Sequence, residues 1–160
     1  MFWIKVKQLF SSFLYNSNKL NYLRQFPILR NFSTFELFLF SHLIQTRHFK
    51  KDEIIFQEQF PLAVIYLIQS GAIEIRSRYD LNEEPVILTK HQFIGVIDLY
   101  DENRRKEEAK AVKDTILLAI SHIDFQKFIN ANPRTGVKLL SNICGALSHF
   151  IFQKHKPDMV

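Results

Sequence analysis

Cysteine is almost missing from this chain. Its single copy, Cys144, excludes an internal disulfide framework and any zinc site built on cysteines, and it points to a reducing compartment, cytoplasmic by default. Histidine is present but never clustered. His42, His48, His91, His122, His149 and His155 all stand alone, whereas a metal-binding roll needs two histidines one residue apart, a glutamate and a distant third histidine, so no metal site is expected. No G-x-S-x-G or phosphate-loop spacing occurs, and Cys144 lies on an apolar helical stripe where a buried neutral thiol is expected, so no catalytic residue is assigned and the chain reads as non-enzymatic. No run of 18 apolar residues exists, which removes a spanning helix. No block of five or six like charges exists either. The net charge of +5 is therefore dispersed over solvated faces rather than gathered for nucleic acid or anionic lipid.

What is there is a bulky apolar chain. Sixteen phenylalanines stand against four glycines, and 47% hydrophobic content in 160 residues fills one ordinary core. The first residues, MFWIKVKQLFSSFLY, place Phe2, Val6, Leu9, Phe10 and Phe13 on one side at helical spacing. Lys5 and Lys7 interrupt the run and no small-residue cleavage site follows, so a secretory signal is not expected. This helix either docks on the domain or a partner, or lies on a membrane surface.

Ser33 and Glu36 have the spacing of a capping box, and Phe35, Leu37, Phe38, Leu39, Leu43 and Ile44 follow as the apolar side of a helix ending near Gln45. The rhythm then changes to short β-rich pieces: Glu53 to Phe56, Ala63 to Gln69, Ala72 to Arg78, Val86 to Thr89, Lys110 to Val112 and Thr115 to Ile120. Lys51-Asp52, Ser70-Gly71 and Lys113-Asp114 read as tight turns, and YDLNEEP as a longer solvent loop. Many short strands without intervening helices imply an antiparallel barrel, roll or sandwich. Ser121 and Asp124 begin a short helix carrying Ile123, Phe125, Phe128 and Ile129. Asn132-Pro133 then starts a long one, reaching about Gln153, with an apolar stripe at three-and-four spacing. Such a stripe packs back on the domain, meets its own copy, or does both.

Helix, roll of strands, short helix, long helix is also an order of phrases. PILRNFSTFEL, FKKDEIIFQEQFP, VIYLIQSGAIEI, HQFIG and AVKDTILLAISHIDFQKFINANP, taken together from about Phe26 to Phe152, resemble the cyclic-nucleotide-binding domain family. The resemblance implies a mainly β fold with flanking helices: an antiparallel β-roll, a double-stranded β-helix of jelly-roll type, between N-terminal helices and a long C-terminal helix. It divides the chain into an N-terminal helical extension over 1–25, the domain over 26–153 and a frayed tail over 154–160. It also implies a ligand inside the roll, held by the cassette FIGVIDLYDENRRKEEAKAV, where Gly95, Val96, Ile97, Asp98, Arg104, Arg105 and Lys106 would line the site. In working members a glutamate after the glycine holds the ribose hydroxyl. An arginine pairs with the cyclic phosphate, and a small hydroxyl residue and backbone amides complete the nest.

This chain departs from that pattern at two places. Val96 stands where the glutamate should, and valine offers a sugar nothing. Arg105 falls at the phosphate-arginine position, with Arg104 beside it, but Lys106, Glu107 and Glu108 follow in place of the small residues. Losing one charge-assisted hydrogen bond costs roughly 1.5–3 kcal/mol, or about ten- to a hundredfold in affinity. A carboxylate about 4 Å from a phosphate adds about 4 kcal/mol of repulsion at an effective dielectric of 20. The stretch YDENRRKEEAK therefore reads as a solvated loop with its charges paired among themselves.

The expectation is thus a sensor or interaction domain with a degenerate cassette and no cofactor. The alternatives are a cyclic AMP or cyclic GMP receptor relying on Arg105, and a peripheral membrane protein held by its first helix. The partner expected is a second copy, paired through Val137, Leu140, Ile143, Leu147 and Ile151 of the last helix, alongside a protein partner of unspecified kind. Few residues follow Gln153, so no DNA-reading helix-turn-helix is expected.

Overall fold

The computed structural model describes residues 18–61, 63–77, 84–96 and 105–154, apart from the side chains of 153 and 154. The apolar helix expected in the first fifteen residues, most of the YDLNEEP loop and the frayed tail lie outside the described residues. The chain forms two compact units, Leu43–Ala131 and the residues up to His42 together with those from Asn132 onward. Among the described residues, helices α1 (Thr34–Ser41), α2 (His122–Ala131) and α3 (Pro133–Lys154) accompany eight strands: β1 (Ile44–Phe49), β2 (Ile54–Phe56), β3 (Val64–Ser70), β4 (Ala72–Ser77), β5 (Val86–Thr89), β6 (Phe93–Ile94), β7 (Glu107–Ala111) and β8 (Thr115–Ser121).

The unit Leu43–Ala131 holds all eight strands, in two four-stranded antiparallel sheets ordered β1-β8-β3-β6 and β2-β7-β4-β5. Sequence neighbours are mostly not sheet neighbours, and that crossing makes it a roll rather than a meander. The inner faces meet in one core, with Tyr66, Ile68, Ile94, Leu117 and Ala119 from one sheet against Ile55, Ile73, Ile75, Leu88, Ala109 and Ala111 from the other. The AIEIRSR alternation is borne out, since Ile73 and Ile75 point into this core. On the other face of β3 and β8, Ile65, Leu67, Leu118 and Ile120 are buried as well, so these two central strands read as nearly continuous apolar runs. Helix α2 follows β8, with Ser121 Oγ accepting from the Asp124 N–H (3.1 Å) and with Phe125 and Phe128 buried. Ile123 on the same helix is exposed.

The turns carry the left-handed residues that the sheets need. Asp52 has φ 71° between β1 and β2, and Gly71 has φ 96° between β3 and β4. Gly71 packs on Thr115, whose hydroxyl donates to the Lys113 carbonyl (2.7 Å) and accepts from the Ala72 N–H (3.2 Å), joining two turns.

The other unit begins with helical residues 18–23 and a 3-10 turn at Pro27–Leu29. The capping box is formed as expected: Glu36 N–H donates to Ser33 Oγ (3.2 Å) and Ser33 N–H to Glu36 Oε2 (2.6 Å). The helix nevertheless stops at Ser41 rather than near Gln45, because Ile44–Phe49 pairs along β8 and sheet pairing overrides a local apolar rhythm. Its buried side is Leu37, Phe40 and Ser41, whereas Phe35 and Phe38 are exposed. Helix α3 buries Thr135, Leu139 and Ile143. Asn142 Nδ2 donates to the carbonyls of Ile28 (3.1 Å) and Arg30 (2.7 Å), and Thr135 and Lys138 both donate to Glu36 Oε1 (2.9 and 2.8 Å). Cys144 is exposed rather than buried. One residue beyond Ile143 is a rotation of about 100° around the helix, which carries the thiol off the packed side.

Candidate ligand site in the roll

Two pieces of the cassette are described, Phe93 to Val96 and Arg105 onward. Ile97, Asp98 and Arg104 lie outside the described residues. Strand β6 pairs with β3 through Ile94 opposite Tyr66 and then breaks at Gly95, whose φ is 86°. A Cβ there would come within 3.1 Å of the Val64 carbonyl oxygen and run into Nη1 of Arg105. The glycine therefore serves the backbone and the guanidinium together. Val96 follows, buried at 5% exposure.

Arg105 is not solvated. It is 2% exposed, and this overturns the expectation that YDENRRKEEAK is a solvated loop at this position. The main chain fixes it first: Arg105 N–H donates to the Phe60 carbonyl (2.9 Å), and its own carbonyl accepts from Gln59 N–H (2.8 Å), tying the start of β7 to the turn after β2. The side chain then runs inward. Nη2 donates to the Val64 carbonyl, and Cζ lies 3.9 Å from the centre of the Phe56 ring. Phe56 stacks on Tyr66 at 6.5 Å and 9°, and Phe49 meets Tyr66 edge-on at 6.4 Å. The guanidinium thus caps a column of three aromatic rings, a geometry that suits its weakly hydrated plane.

Strand β7 begins at Glu107, three residues before the expected start. Register fixes which way each carboxylate lies. Ala109 and Ala111, opposite Ile75 and Ile73, face the core, so Glu107 opposite Ser77 shares their face and Glu108 opposite Arg76 takes the outer one. Glu107 is half-buried and Lys106 is exposed. Among the described residues no three His, Cys, Asp or Glu side chains stand together as a metal-binding set.

This geometry has a counterpart in sequence. Residues 46–132, more than half of the chain, match the family described as the cyclic nucleotide-binding domain. The chain belongs to this family. Among solved structures, this cyclic nucleotide-binding domain is similar to the N-terminal domain of a transcriptional regulator from Streptomyces coelicolor A3(2), at 21% identity and TM-score 0.67 over 81% of this chain and 94% of that one. It is similar to the sensor domain of the transcriptional regulator DNR from Pseudomonas aeruginosa, at 15% identity and TM-score 0.68 over 91% and 99%. It is also similar to the Catabolite Activator Protein of Thermus thermophilus, at 24% identity and TM-score 0.65 over 80% of this chain and 59% of that one. No curated protein matches by sequence.

Within the cyclic nucleotide-binding fold, Gly95 and Arg105 lie against one another and Val96, next in the chain, is buried, while Lys106 is exposed. Sequence reasoning did not anticipate the partners of Arg105. Nothing in the phrase DEIIFQ distinguishes Phe56 from any other strand residue, and a carbonyl such as that of Val64 leaves no mark in a sequence. No helix among the described residues is long and apolar enough to cross a membrane.

Proposed function

We propose that this chain is a non-enzymatic regulatory module that keeps the cyclic nucleotide-binding roll, has given up the cyclic nucleotide, and works as a homodimer. The observation that carries the reading is the engagement of Arg105. Its guanidinium is taken up by the Val64 carbonyl and the Phe56 ring, so it serves as an internal strut. A cyclic phosphate would have to pull it from both. That loss amounts to roughly 1.5–3 kcal/mol for a charged hydrogen bond and about 1–2 kcal/mol for the ring contact. The buried Val96 returns nothing from the sugar, and Glu107 puts a carboxylate on the inner face. Together these terms move micromolar binding to the millimolar range.

A cyclic-nucleotide receptor is the second reading, and one observation favours it: Arg105 points into the roll beside Gly95 and not out to water. Titration calorimetry with cyclic AMP and cyclic GMP separates the two. The strut reading expects no binding tighter than about 100 μM. Binding at about 10 μM or below that disappears in Arg105→Ala would overturn it.

A further inference from the structure

The side of helix α3 that packs within its own unit is well covered only along the first half of the helix. Thr135, Leu139 and Ile143 are buried there, so Ile143, expected at a contact between copies, is used inside its own unit. Thr135 and Lys138 bond to Glu36, and Asn142 bonds to the Ile28 and Arg30 carbonyls. Continued in steps of four, three and four from Leu139, the same side runs through Ile143 to Ala146 and Phe150. Ala146 is half-buried, as is Leu147 beside it, and Phe150 is 38% exposed. Nor is this stretch made for water. From Leu139 to Gln153 there is no Asp, Glu, Lys or Arg, in a chain of which 23% is charged. A charge-free apolar side that continues a packed one has the composition of a contact and not of a solvent face.

The chain contains a segment that fits this side. Phe2, Val6, Leu9, Phe10 and Phe13 would share one side of a helix, and Lys5, Lys7, Gln8, Ser11 and Ser12 fall off it. Such a helix from Phe2 to Phe13 would be about 18 Å long, and α3 beyond Ile143 is about 16 Å long. Size is complementary as well. The segment offers large rings, whereas Gly145 and Ala146 keep the middle of α3 flat, and a Cβ on Gly145 would meet nothing within 4 Å. The two lysines would meet no like charge on this half of α3. Residues 18–23, helical and with Leu20 and Leu23 buried, belong to the same unit as α3, so only Leu14 to Ser17 separate the segment from an anchored part of the chain. Four residues reach about 14 Å when extended, and so short a tether sets an effective concentration on the order of millimolar. A free partner would have to exceed that.

We propose that residues 2–13 form an amphipathic helix that packs, within the same chain, on the uncovered side of α3 at Ala146, Leu147 and Phe150. The opposite side of α3, where Val137 is 66% exposed and Cys144 is exposed, stays outside this contact. The docking therefore stands whether or not the chain pairs with itself.

Trp3 is the single tryptophan of the chain, and at the edge of the segment's apolar side, beside Phe10, it reports on the contact. In the full-length wild type its emission should be blue-shifted, shielded from acrylamide and unchanged on dilution. Phe150→Glu should move the emission to the red and raise the acrylamide quenching constant severalfold while the far-UV dichroism is kept. Phe10→Asp, which leaves α3 untouched, should do the same. Val137→Glu, on the other side of α3, should leave Trp3 as it was, whatever it does to the sedimenting mass. A tryptophan already open to acrylamide in the wild type, a buried one indifferent to Phe150→Glu, or one released equally by Val137→Glu would overturn the docking. Emission that turns red as dilution separates two copies would put the segment on the second copy, and a blue shift that appears only with phosphatidylglycerol vesicles would put it on a membrane surface. Either result would sink the intramolecular contact.

Discussion

The Arg105 guanidinium lies 3.9 Å from the centre of the Phe56 ring and, through Nη2, holds the carbonyl of Val64. A side chain kept for a ligand and one kept for the framework differ in what their removal does to the empty protein. Sites held ready for ligands tend to be less stable than their truncated variants, whereas struts lose stability when cut. Arg105→Ala removes a charged hydrogen bond and the packing of a long stem, so it should lower unfolding stability by about 2–4 kcal/mol in urea denaturation. A double-mutant cycle with Phe56→Leu should return a coupling of about 0.5–2 kcal/mol. Arg105→Ala as stable as the wild type would contradict the strut.

Two glycines rank themselves by what surrounds them. At Gly71 a Cβ would come within 2.6 Å of the Thr115 Cα and 2.7 Å of the Asp114 carbonyl, both backbone atoms that cannot step aside. At Gly95 the main obstruction is the end of the Arg105 side chain, with the Val64 carbonyl at 3.1 Å. Both residues have positive φ, which adds about 1 kcal/mol for any L side chain. Gly71→Ala should therefore destabilise by about 3 kcal/mol or more, and Gly95→Ala by about 1–3 kcal/mol. Thermal melts of the two variants give the order.

How far these features could be read in the sequence depends on how local their causes are. The capping box at Ser33 and Glu36, the Ser121 cap and the strand Val86–Thr89 follow from neighbours a few residues apart, and all were legible. Ile44–Phe49 was not. Its four middle residues are exposed, and it is a strand because β8, some 70 residues later, supplies its hydrogen bonds. The candidate site divides in the same way. The identity of Arg105 and Val96 came from aligned phrases, but the inward course of Arg105 depends on Phe60, Gln59 and Val64, contacts that no spacing rule reports. On α3 the three-and-four rhythm was plain. Periodicity alone could not tell the packed side through Ile143 from the open one through Cys144, since the two are a single residue out of phase.

Glu36 should govern part of the acid stability. Its burial by itself would raise the carboxyl pKa. Hydrogen bonds from Lys138, the Ser33 backbone, Thr135 and the Ser33 hydroxyl more than offset this and hold it at about 2, against an ordinary 4.5. A depressed folded pKa means that the unfolded chain binds the proton first as pH falls. The contribution is therefore complete above about pH 4.5 and lost progressively down to about pH 2. With the Glu36 side chain 14% exposed, it is on the order of 1–3 kcal/mol. Glu36→Gln should flatten the fall in stability between pH 4.5 and pH 2 and leave Thr135 and Lys138 poorly partnered at neutral pH. Urea midpoints measured across that range check both effects.

On the proposed reading, in which the roll no longer takes the cyclic nucleotide, binding should be partly restorable by substitution. Val96→Glu alone buries a carboxylate where a 5% exposed valine sat, and with no sugar to meet, that group lowers the melting temperature and drifts toward its neutral form. Glu107→Ala alone clears the inner face of its carboxylate but supplies no new acceptor. Combined, the two changes offer the ribose an acceptor and remove the repulsion, so cyclic AMP affinity should rise at least tenfold to a hundredfold over the wild type, and millimolar ligand should recover much of the lost melting temperature. On that reading Arg105 is still engaged by Val64 and Phe56, so the double variant should remain well short of a working receptor. If the folded double variant binds no better than the wild type, the engagement of Arg105 is the dominant barrier. In that case Phe56→Leu added as a third change, which loosens the column under the guanidinium, should be what restores binding.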